Sequence, residues 1–81
     1  MYSKFNKRFG RFIKALRIIR HVKRSDLAEY LCLEKSKILD IERGKLECPV
    51  ESLVPMSKLF QISINDLLTM RINQTDNPVL F

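Results

Sequence analysis

Only two glycines, Gly10 and Gly44, and three prolines, Pro49, Pro55 and Pro78, interrupt 81 residues. An all-β chain of this length would need many tight turns, and those turns draw on Gly and Pro. Their scarcity predicts an all-α fold. The length allows one domain with a single core of modest size, too small for a deep cleft beside a separate cofactor domain. With 46% apolar and 30% charged residues, the composition is that of a folded soluble chain.

Hydrophobic periodicity predicts five helices. The first covers about residues 4–20, where Phe5, Phe9, Phe12, Ile13 and Leu16 share one face. Gly10 inside it reads as a local weakness of about 1 kcal/mol relative to Ala. Residues 21–23 read as a connection. The second helix starts near residues 23–25 and ends near Leu31, with Leu27, Ala28 and Leu31 inward. Its first turns carry Asp26 and Glu29, where negative charge is favourable. The third runs from Lys35 to Arg43 and stops at Gly44, the usual residue beyond a helix end. Residues 45–51 are a loop or the loose start of the fourth helix. That helix is expected over 52–60, with Ser52 as N-cap, Pro55 in the first turn, and Leu53, Met56, Leu59 and Phe60 inward. Ser63 is expected to cap a fifth helix from Ile64 to about Met70, and 71–81 forms a tail without helical period.

Charge is strongly segregated. Residues 1–24 hold Lys4, Lys7, Arg8, Arg11, Lys14, Arg17, Arg20, Lys23 and Arg24 and no acid. The other residues carry six basic against nine acidic groups, so the overall +6 conceals a net −3 beyond residue 24. Cations near a helix N-terminus oppose its dipole, so these charges do not serve the first helix itself. They point to a polyanionic partner on one side of the domain. A solvated face, or a helix lying on a membrane surface, is the blander alternative.

Other chemistries find little material. The one histidine, His21, reads as a solvated loop residue, and Cys32 and Cys48 form no CxxC pair, so no zinc site of ordinary ligand count can be assembled. Both cysteines are expected to be free thiols of an intracellular protein, with a redox switch between them as the less favoured reading. No catalytic set and no phosphate-cradling glycine loop is present, so neither an enzyme nor a cofactor is expected. No apolar run suits a signal peptide or the ~18 residues of a membrane span, and a cytoplasmic protein is expected.

Two short helices joined by a tight turn form a DNA-reading device in many folds. Projected at 100° per residue, the third helix turns Ile38 and Ile41 inward. Lys35, Ser36, Leu39, Asp40 and Arg43 spread over the other side. Lys, Ser and Arg suit base edges and phosphates, Leu39 suits a thymine methyl, and Asp40 suits a cytosine amine. The alternative is an ordinary amphipathic helix on a bundle surface.

The stretch from Asp26 to Gly44, DLAEYLCLEKSKILDIERG, resembles the helix-turn-helix signature of the Cro and lambda-repressor-like regulators. Leu27-Ala28 lies in the second helix, and Ile41-Glu42-Arg43-Gly44 closes the recognition helix. Ile62 to Leu68 resembles the start of the fifth helix and Leu16-Arg17 the end of the first, so the likeness spans about residues 9–70. It implies a five-helix, lambda-repressor-like DNA-binding domain over 1–70, with 71–81 as a C-terminal tail. It implies sequence-specific binding of double-stranded DNA by a transcriptional regulator of bacterial or phage type, a repressor by expectation. The alternative is a protein-interaction module on the same fold, such as an antitoxin held against its toxin.

The resemblance also assigns residues. Arg17 and Glu42 are implied to form a partly buried ion pair. Arg24 and Ser25 at the start of the second helix, and Lys35, Ser36, Lys37, Leu39 and Asp40 in the third, fall on positions that face DNA, with Arg43 and Lys45 close to its backbone. Where the family commonly has other residues, Arg24 replaces Gln, Lys23 replaces a capping residue and should let the second helix fray, and Cys32 replaces Gly. Glu34 and Asp40 are acids where a phosphate partner would disfavour them. A homodimer is expected, because one recognition helix reads only a few base pairs. Its candidate surface is Met70, Ile72, Val79, Leu80 and Phe81, apolar residues that follow an otherwise complete domain.

Overall fold

The computed structural model describes residues 4–71. Among them the elements are α1 (Lys4–Ile19), α2 (Arg24–Leu31), α3 (Lys35–Glu42), a single 3₁₀ turn (Val50–Ser52), α4 (Leu53–Phe60) and α5 (Ile64–Thr69). The five expected helices are present, each within a residue or two of its predicted bounds.

In α1 the buried residues are Phe9, Gly10, Ile13, Leu16 and Arg17, one continuous helical stripe. The stripe is shorter than the sequence suggests. Phe5 was expected inward but is 47% exposed, its ring stacked on Phe9 with centroids 5.5 Å apart. Phe9, Ile13 and Leu16 meet Leu27, Ala28 and Leu31 of α2, Ile38 of α3, Met56 and Phe60 of α4, and Leu67 of α5 in one cluster. The helices α2 to α5, of six to eight residues, are too short to be stable alone; each is held by the apolar face it gives to this cluster.

The helices end alike. Beyond each one a residue takes the left-handed conformation: His21, Cys32, Gly44, Gln61 and Met70. The N–H groups of that residue and of the next turn back onto the last carbonyls. After α2, Cys32 donates to Glu29 at 3.1 Å and Leu33 to Ala28 at 2.9 Å; after α4, Gln61 donates to Lys58 and Ile62 to Ser57. This paired closure normally recruits glycine. Here the following residues Val22, Leu33 and Ile62 are apolar and pack on the core, which holds the turn without it.

One helix start departs from expectation. Ser52 stands at the expected N-cap position but does not cap α4: it is buried, has helical angles (φ −86°, ψ −12°) and makes no side-chain capping bond, because it is the last residue of the 3₁₀ turn Val50–Ser52. Pro55 is then the third residue of α4, still within the turn whose N–H groups lack helical acceptors. Lys23 is extended and caps α2 with no side-chain bond. Ser63 does cap α5, accepting from the Asp66 N–H at 3.0 Å.

Candidate nucleic-acid interface

A Leu-Glu link after Cys32 joins α2 to α3, and α3 lies against both α1 and α2. Its inner face buries Ile38, Ile41 and Glu42. Its outer side exposes Lys35, Ser36, Lys37 and Arg43, while Leu39 and Asp40 are half-buried. The projection had treated Leu39 as outward; it stands on the flank. Lys45 and Ser25 are exposed beside this surface, as is Glu34, which precedes α3 and makes no side-chain capping bond. Lys35, Lys37, Arg43 and Lys45 make no ion pair among the described residues.

The end of α3 is pinned to α1 by two close approaches. Gly10 faces the carbonyls of Ile41 and Glu42. A methyl group on Gly10 would strike the Ile41 oxygen and lie 2.6 Å from that of Glu42. Gly10 is therefore the contact that lets α1 and α3 touch backbone to backbone, and the reading of it as a mere weak point is corrected. Gly44, at φ +79°, faces Lys7, whose Cα would lie 2.8 Å from an added Cβ.

An ion cluster sits at the same junction. Glu42, with its side chain 2% exposed, receives the Arg17 Nε at 2.7 Å on Oε2 and the Arg24 Nε at 3.1 Å on Oε1. Arg17 also donates Nη1 to the Val22 carbonyl at 3.0 Å, tying the α1–α2 connection to the cluster. A carboxylate this buried needs such partners, since leaving it unpaired would cost several kcal/mol. The Arg24 contact was missed by sequence reasoning. The two residues are 18 apart in sequence, and no local spacing announces their meeting.

The basic segment divides accordingly. Arg17 and Arg24 hold Glu42, and Arg20 donates to the Phe60 carbonyl at 3.0 Å, at the C-terminal end of α4 where a cation is favourable. Lys4, Lys7, Arg8, Arg11, Lys14 and Lys23 remain exposed without an ion pair among the described residues. Cys32 is an exposed free thiol; Cys48 is a half-buried one, its pKa pushed up to about 11 by burial and by the nearby Glu47 and Glu51 carboxylates. Met70 is half-buried against the core. Ile72, Val79, Leu80 and Phe81, the rest of the expected dimer surface, lie outside the described residues. Among the described residues no helix is long and apolar enough to cross a membrane, and no group of three potential metal ligands occurs.

This arrangement is a five-helix, lambda-repressor-like fold in which α2 and α3 form a helix-turn-helix. The same fold occurs in the clp gene regulator ClgR of Corynebacterium glutamicum, at 21% identity over 86% of this chain and 90% of that one, with a TM-score of 0.74. It occurs in the restriction-modification controller protein C.AhdI of Aeromonas hydrophila, at 21% identity, 75% and 92% coverage and a TM-score of 0.68. A point mutant of the restriction-modification controller protein C.Esp1396I matches at 25% identity, 85% and 91% coverage and a TM-score of 0.70. No family model and no curated protein matches the sequence.

Proposed function

We propose that this chain is a non-enzymatic, cytoplasmic regulator of transcription, of the Cro and lambda-repressor-like family, that binds double-stranded DNA as a homodimer and acts as a repressor. The observation that carries the reading is the outer face of α3. Lys35, Ser36, Lys37 and Arg43 stand exposed there on a helix whose inner face is locked to α1 and α2. The resemblance of its fold to gene-regulator and controller proteins supports the same reading. In it, residues 1–70 bind DNA and 71–81 add to the dimer contact. Lys35, Ser36, Leu39 and Asp40 face base edges. Arg24, Ser25, Lys37, Arg43, Lys45 and cations of α1 face phosphates, and no cofactor is required.

Glu34 and Asp40 favour a second reading, because two acids beside the reading face weaken attraction to phosphates. In that reading the fold serves chiefly to bind a protein, as an antitoxin does.

The test is selection from a random duplex pool at moderate salt, then titration of an enriched and a scrambled duplex at several salt concentrations. Lys35→Ala and Leu39→Ala are expected to weaken the enriched duplex by about 1–3 kcal/mol and barely change the scrambled one. Arg43→Ala is expected to weaken both alike and to lower the salt slope by about one. No enrichment, with every substitution silent, refutes the DNA reading.

A further inference from the structure

Glu42 carries one negative charge and holds two guanidinium groups, so the cluster has a net charge of +1. Arg17 is 10% exposed and donates a second bond inward, to Val22. Arg24 differs. Its side chain is 28% exposed, only its Nε is bonded, and its terminal Nη nitrogens meet no acceptor among the described residues. The surplus charge of the cluster therefore reaches the surface through Arg24.

Local stability does not explain that placement. Arg24 opens α2, where a cation opposes the helix dipole. Nor does neutralising Glu42 require it, since Arg17 alone balances the charge at the shorter distance. A guanidinium held through Nε keeps its two Nη groups available end-on, a geometry suited to phosphate oxygens. An unanchored arginine would lose much rotamer freedom on gripping a phosphate; this one has already lost part of it on folding.

We infer that Glu42 is a positioning residue for DNA binding: its buried carboxylate orients Arg24 to grip one backbone phosphate while it ties α1 to α3 through Arg17. The inference rests on the DNA reading above and adds a role for an acidic residue that never touches the nucleic acid. Simple electrostatics gives Glu42 the opposite role, because a carboxylate near the duplex repels it.

The opposed signs make the test. The full chain and its variants Arg24→Gln, Arg24→Lys and Glu42→Gln are titrated with one duplex at several salt concentrations, below the melting temperature recorded for each. Arg24→Gln is expected to lower the salt slope by about one and to weaken binding about tenfold. Arg24→Lys is expected to keep the slope and still bind more weakly, because one ammonium cannot serve carboxylate and phosphate in fixed geometry. Glu42→Gln is expected to weaken binding although it removes a repulsive charge. Tighter or unchanged binding by Glu42→Gln overturns the inference, as does an unchanged slope in Arg24→Gln. If Glu42→Gln does not fold, wild-type affinity in Arg24→Lys overturns it. These results leave the DNA reading standing; a wild-type chain that binds no duplex removes both.

Discussion

Cys32 holds φ +58° and ψ +40°, a conformation that costs a residue with a Cβ roughly 1–2 kcal/mol and costs glycine almost nothing. Replacing it with glycine relieves that strain and adds unfolded-chain entropy worth about 0.4–1 kcal/mol in the other direction. Relief wins by a small margin. Cys32→Gly is expected to stabilise the fold by about 0.5–1 kcal/mol, read as a raised urea midpoint; a lowered midpoint would show that the thiol contributes packing. The two cysteines should also separate chemically. The fold disfavours the Cys48 thiolate, so whatever stability this group adds is fully present below pH 9 and declines as pH rises towards 11. Brief alkylation of the native protein at pH 8 should label Cys32 and leave Cys48 largely unmodified by mass spectrometry. Equal labelling would mean that the loop around Cys48 opens faster than the reagent acts. The sequence flagged Cys32 because glycine is common at its place. It did not flag His21, Gln61 and Met70; the residues after the first two, Val22 and Ile62, pack on the core.

At the scale of the helix, Gly10 reverses its sign. Helix propensity alone makes Gly10→Ala a gain of about 1 kcal/mol. The added methyl group would instead meet two backbone carbonyls of α3, which cannot rotate aside as a flexible side chain would. Overpacking of this kind costs typically about 1–3 kcal/mol, and the upper end applies when backbone must move. Gly10→Ala is therefore expected to destabilise by about 1–2 kcal/mol net in urea titration and, under the proposed DNA-binding function, to weaken binding to the enriched duplex by shifting α3. A stabilised variant would show that α1 slides along α3 freely. The helix bounds themselves were legible, because the periodic apolar residues and Gly44 mark them. The capping of α4 was not: Ser52 has the sequence look of a cap, but it belongs to the 3₁₀ turn Val50–Ser52, is buried and makes no side-chain capping bond.

For the molecule as a whole, the segregated charge survives folding only in part. Arg17, Arg20 and Arg24 are tied into bonds within the fold, with Arg17 buried, Arg24 half-buried and Arg20 exposed, and the other six cations of the basic segment are exposed without an ion pair among the described residues. A dimer contact through the tail is tested by sedimentation of the full chain and of a chain ending at Arg71. The expected result is a dimer for the first and a monomer for the second at equal concentration. A truncated chain that dimerises equally well moves the contact to exposed apolar residues among 4–71, of which Val54, Ile64 and Leu68 on α4 and α5 are candidates.

Sequence by itself determined the helical class, the order of helices and the inward faces of Ile38 and Ile41. Each of these follows from residues close together in the chain, where a period of 3.6 and a few terminating residues suffice. It also placed Arg17 opposite Glu42, through resemblance to regulators with the same motif. Tertiary structure alone decided that Arg24 shares the Glu42 carboxylate, that Gly10 is a contact and that Arg20 closes α4. Those three depend on distances between segments 18 to 40 residues apart. Such distances are set by how the helices pack on one common core, and no local pattern encodes them.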